Sequence, residues 1–141
     1  IGTSSAIVNI AVIYKNQGLY KEAKEYYEKY LNICLEISNK MGVLRAKVGI
    51  GDVVFKMKDY TQALKYYQNA SAFIKKNEMN SNLSMIYRKQ SDCNYELKNY
   101  ENALKLSEKS LKFAIQSDDE EDISSAKLLQ EKINLKLQYK A

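Results

Sequence analysis

The chain offers few side chains to reaction chemistry. None of its 141 residues is histidine, which removes the Ser-His and Cys-His nucleophile pairs, the imidazole proton shuttle and any zinc site built on imidazole. Cys34 and Cys93 form no Cys-x-x-Cys pair, so they predict two buried, reduced thiols rather than a disulfide scaffold or a metal knuckle. Gly49-Ile50-Gly51-Asp52 resembles a piece of a phosphate loop, but the following glycine is missing and the periodicity places it inside a helix. The carboxylate run from Asp118 to Asp122 lacks the alternating ligands and central glycine of a calcium loop and reads as a helix start. No catalytic residue, metal or cofactor is therefore assigned. Recognition chemistry remains. The chain has two arginines, Arg45 and Arg88, and their planar forks grip carboxylates bidentately. Lys89 adds charge beside the second. Phe55 and Tyr95 offer flat apolar surface to an anchoring side chain.

The elements that must position these groups follow from an internal repeat. Tyr20, Tyr60 and Tyr100 recur every 40 positions, and Ala23, Ala63 and Ala103 follow in step. The column continues through Tyr27, Tyr67 and Ser107, then Tyr30, Ala70 and Ser110, then Ile33, Phe73 and Phe113. Steps of three and four put these residues on one helix face. Upstream, the columns of Ile10, Ile50 and Gln90, of Ala11, Gly51 and Ser91, and of Ile13, Val53 and Cys93 mark a second helix per unit. Its central small residue lets two backbones approach closely. Each unit thus reads as helix, tight turn, helix, with turns at Asn16 to Leu19, Met57 to Asp59 and Leu97 to Asn99. Gly18 supplies a left-handed position, and Asp59, Asn99, Ser38-Asn39 and Asn80-Ser81-Asn82 supply caps. Ser117 to Glu120 has the spacing of a capping box. It opens a seventh helix over about residues 119–138, with an apolar stripe of Ala126, Leu129, Ile133 and Leu137 that reads as a terminal cap.

Composition agrees with long helices. Proline is absent and glycine occurs five times, while 45% hydrophobic and 28% charged residues are ordinary for a folded chain. No apolar run reaches the roughly 18 residues of a membrane helix. The twelve tyrosines largely follow the repeat and read as packing residues with hydroxyls in water. A net charge of +5 raises nucleic acid as a partner, yet the lysines alternate with acids, as in Lys21-Glu22 and Glu25 to Lys29, which is the pattern of a solvated face. The chain begins at Ile1 without a basic, then apolar leader and reads as a piece of something longer, in a cytoplasmic compartment.

These residues resemble the tetratricopeptide repeat family over essentially the whole chain. The first unit matches at Ile7, Ile10, Ala11, Tyr14, Gly18, Tyr20, Ala23 and Tyr27. The second matches at Ile50, Gly51, Tyr60, Ala63, Tyr67 and Ala70, and the third at Ser91, Tyr100 and Ala103. Gln90 and Asn94 depart from the apolar pattern, and the 40-residue period is similar to the long-repeat class of polarity scaffolds, kinesin light chains and bacterial regulators. The resemblance implies an all-α, right-handed superhelix (solenoid) of three repeats at about residues 4–40, 41–80 and 81–118, with the capping helix, as a single domain. It implies a concave groove for a peptide or partner helix, lined by Asn9, Val12 and Lys15, by Arg45, Val48, Asp52 and Phe55, and by Arg88, Lys89, Asp92 and Tyr95. A groove carrying Arg45, Arg88 and Lys89 suits an acidic segment or a C-terminal carboxylate. The competing expectation is that the arginines pair with Asp52 and Asp92. Val8 and Val12 stand where the chaperone-tail class carries its Lys and Asn clamp, so that class is not supported. A sensor segment of a larger signalling protein and self-association through the ends of the stack are the alternative roles. A membrane or a small-molecule substrate is not expected.

Overall fold

The computed structural model describes residues 2–140. Among them are seven α-helices and no strand: α1 (Gly2–Asn16), α2 (Tyr20–Glu36), α3 (Lys40–Lys56), α4 (Tyr60–Lys76), α5 (Leu83–Glu96), α6 (Tyr100–Gln116) and α7 (Glu120–Lys140). A short 3-10 turn, Asn80–Asn82, precedes α5. No helix among the described residues is long and apolar enough to cross a membrane.

The helices are separated by one turn used six times. A left-handed residue stands at every twentieth position: Gly18, Ser38, Lys58, Glu78, Lys98 and Asp118, with φ between 53° and 81°. In the first turn the Leu19 amide donates to the Tyr14 carbonyl at 2.9 Å and the Gly18 amide to Lys15 at 3.1 Å. This pair of bonds satisfies carbonyls that the helix end would otherwise leave open. The same pair recurs after α3, where Asp59 reaches Val54 and Lys58 reaches Phe55.

The following helix is then capped by side chains, with some departures from expectation. Asn39 accepts from the Gly42 amide at 3.0 Å and Asp59 from the Gln62 amide at 3.2 Å. Asn99 and Asn82 make no such bond. The cap of α7 is Asp119, which accepts from the Asp122 amide at 3.1 Å, not Ser117. Ser117 closes α6 and Asp118 takes the left-handed position, so the cap falls two residues later.

The chain forms two compact units, Ile1–Ala70 and Ser71–Ala141. The first is packed by aromatic rings against missing side chains. A Cβ on Gly49 would collide with the Tyr27 ring, and one on Gly51 would sit 2.6 Å from the Tyr67 ring. Tyr27, Tyr30 and Tyr67 are buried together with Ala23, Ala63 and Cys34, each large side chain contributing about 1.5–3 kcal/mol of transfer free energy. Tyr67 also differs from the expected wet tyrosine, because its hydroxyl donates to Asp52.

The second unit substitutes hydrogen bonds for rings. Ser84, Gln90, Ser91, Asn94, Ser107 and Ser110 are buried. Ser84 and Ser110 each donate to the other's carbonyl, at 2.9 and 2.8 Å, and the Ser91 hydroxyl donates to the Ala103 carbonyl at 2.6 Å. Asn94 donates to the Gln90 carbonyl one turn back. No buried side-chain polar atom among the described residues lacks a partner. Gln90 and Asn94 therefore keep the register of α5 in place of apolar residues. Cys93 is buried in this unit, as Cys34 is in the first. The unit ends on α7, whose Leu129 and Ile133 pack with Ala103 against Tyr95, Tyr100 and Leu104. Glu131 occupies the column of Ala11, Gly51 and Ser91 and is exposed. A charge where a close-packed small residue is needed marks α7 as a terminating helix.

Candidate peptide-binding face

In the first unit the candidate residues lie on α1 and α3, which touch. Asn9 is exposed, Val12 is 37% exposed and Lys15 is half-buried. On α3, Arg45, Val48, Asp52 and Phe55 follow in steps of three and four, which puts them on one face. Arg45 is exposed and the other three are half-buried. Phe55 meets the Tyr60 ring edge-on with centroids 5.0 Å apart, so part of its surface is used inside the unit.

Arg45 and Asp52 bracket the buried tyrosines. Burial raises the Tyr27 phenol above its ordinary value, the Asp52 charge adds to the rise, and the Arg45 charge opposes it. Burial and Cys34 raise Tyr30, again against Arg45. The two charged groups are thus partly engaged from beneath, Asp52 through the 2.5 Å bond from Tyr67. Both tyrosines stay protonated at neutral pH, so this is a polar seam and not a nucleophile.

In the second unit, Arg88, Lys89, Asp92 and Tyr95 lie on α5, all half-buried. Arg88 pairs with Asp122 of α7 at 3.1 Å, each side chain 24% exposed. The expected alternative of a bond to Asp92 is not the one formed. Tyr95 packs edge-on against Tyr100 and carries the Lys132 ammonium 4.2 Å from its ring centroid, a cation-π distance. Burial pushes the Asp92 carboxyl above the usual carboxylate range; Lys132, Lys89 and Arg88 pull it back, and Glu96 adds to the rise. Asp52 and Asp92 occupy one column, but the column of Tyr67 continues as Ser107, whose hydroxyl bonds to the Leu104 carbonyl at 2.7 Å. Asp92 therefore has no tyrosine in the place of Tyr67.

The sequence did not point to Asp122 and Lys132 as neighbours of this face. A signal existed for Lys132, which continues the column of Val12, Asp52 and Asp92 into α7. Among the described residues there is no group of three or more histidine, cysteine or carboxylate side chains placed to hold a metal ion.

Comparison with known proteins gives a consistent family. A tetratricopeptide repeat model matches residues 2–76 and again 42–116. No curated protein matches the chain. Among solved structures, the apo form of RapI superposes with a TM-score of 0.87 at 15% identity over 96% of this chain, which spans 38% of the RapI chain. The tetratricopeptide domain of Arabidopsis FLU gives 0.73 at 18% identity, covering 82% of this chain and 96% of that one. PcrH from Pseudomonas aeruginosa gives 0.72 at 16%, covering 94% and 92%. At such identities the likeness is one of fold.

Proposed function

The chain belongs to the tetratricopeptide repeat family, and on that premise we propose that it is a non-catalytic, cytoplasmic protein-interaction module that holds a peptide or partner helix against its first helices. The observation that carries this reading is the face of α3. Arg45 stands exposed beside Val48 and Phe55, so a cationic fork and a half-open apolar surface lie within three helical turns. An acidic segment with an apolar anchor suits that pair: the carboxylate takes the guanidinium and the anchor takes the ring. Asn9 and Val12 of α1, and Lys89 of α5, extend the same chemistry within their own units. Arg88 joins it only if it leaves Asp122.

Panning random peptides on the purified chain tests the reading. A selected peptide rich in Asp or Glu should bind about tenfold or more weakly to Arg45→Glu and to Phe55→Ala, with both variants still folded. Failure to select any peptide, or equal binding to both variants, contradicts it. A second reading, a sensor segment within a larger signalling protein, is favoured by the short span of this chain on RapI. Attachment to an output domain whose activity follows peptide binding would support it.

A further inference from the structure

A cavity of about 330 Å³ lies in the first unit between α2, α3 and α4. Its volume is at the lower end of ligand pockets, about 300–1,000 Å³. At 100° per residue, Lys47 and Ile50 leave α3 on the side opposite Arg45, Asp52 and Phe55, so this is not part of the face described above. Leu31, Ile50 and the Tyr66 ring give it an apolar wall; Lys47, Lys65 and Asn69 give it a polar one. Lys47 donates to the Asn69 side chain at 2.7 Å, which fixes where its ammonium stands. Lys24 brings a third ammonium, 6.0 Å from the Tyr66 ring centroid. None of the lining residues is acidic.

We infer that this cavity is a second binding site, for a small organic anion with a flat apolar body, such as an aromatic carboxylate. The anionic group sits by Lys47 and Lys65, and the ring lies on Leu31, Ile50 and Tyr66. Charge complementarity selects the sign, because two lysines line the site and no carboxylate balances them there. The apolar wall selects against a bare inorganic anion, which would leave Leu31 and Ile50 in contact with water. The corresponding groove between α6 and α7 is lined by Glu108, Leu111 and Lys112 among others. The acid there removes the charge preference, so the site belongs to the first unit alone.

Nuclear magnetic resonance titration of the intact chain with 2-naphthoate tests the inference. Saturable shifts are expected at the amides of Lys47, Lys65, Tyr66 and Asn69, with none from inorganic phosphate. Loss of one charged hydrogen bond should weaken binding about tenfold in Lys65→Gln and for the neutral analogue 2-naphthalenemethanol. Lys65 is exposed, so that variant keeps its fold. Shifts confined to other residues, equal affinity for the neutral analogue, or the same shifts from an acidic tripeptide without any from naphthoate would overturn it.

Discussion

The guanidinium of Arg88 lies 3.1 Å from the Asp122 carboxylate and ties α5 to α7. One of the two arginines best suited to grip an acidic ligand is therefore already occupied. Asp122→Asn releases it. The pair is partly exposed, so its loss should lower stability by under about 1 kcal/mol. Calorimetry with an acidic peptide selected on the wild-type chain should then show tighter binding. Unchanged affinity would assign Arg88 to holding α7 alone.

Asp92 gives a pH dependence of definite sign. Burial raises its carboxyl in the folded chain, so between the unfolded and folded values the folded state binds more protons. Stability contributed by this group is lost as pH rises through that window, and the ionised form is a penalty at neutral pH. Asp92→Asn should melt at a higher temperature than wild type at pH 7, with the difference shrinking toward pH 4. A lower melting temperature at pH 7 would mean that Lys89, Arg88 and Lys132 outweigh the cost of burial.

The turn at Lys98 carries strain that Gly18 avoids, since a Cβ in the left-handed region costs about 1–2 kcal/mol. Lys98→Gly should stabilise the chain by about 0.5–1 kcal/mol in urea unfolding, after allowing for glycine's freedom when unfolded. Destabilisation would show that the Lys98 side chain makes a contact worth more than the strain.

Ala63 is fully buried, and its column is what the repeat preserves best. Ala63→Glu places a charge with no partner between packed helices and should cost about 3 kcal/mol or more. Circular dichroism melting reads this directly. A variant as stable as wild type would contradict the packing of α4 given above.

How much of this was legible beforehand divides along physical lines. Tyr27 with Gly49 and Tyr67 with Gly51 are steric couples: a ring needs a missing side chain, and both residue types leave a trace every 40 positions. The turns left far less. Ser38, Lys58, Glu78, Lys98 and Asp118 share a backbone conformation but no side-chain type, so only Gly18 announced it. Gln90 and Asn94 looked like breaks in the pattern because their partners are invisible in sequence; Asn94 is satisfied by a carbonyl on its own helix. The tie from Arg88 to Asp122 links residues far apart in the chain and depends on how α7 lies against α5, which periodicity alone does not supply.

The most direct test of the proposed function is to map a selected acidic peptide on the isotope-labelled chain by amide chemical shifts. The account predicts saturable changes at Asn9, Val12, Arg45, Asp52 and Phe55 of α1 and α3. Changes confined to α2 and the exposed side of α4, or none at saturating peptide, would contradict it.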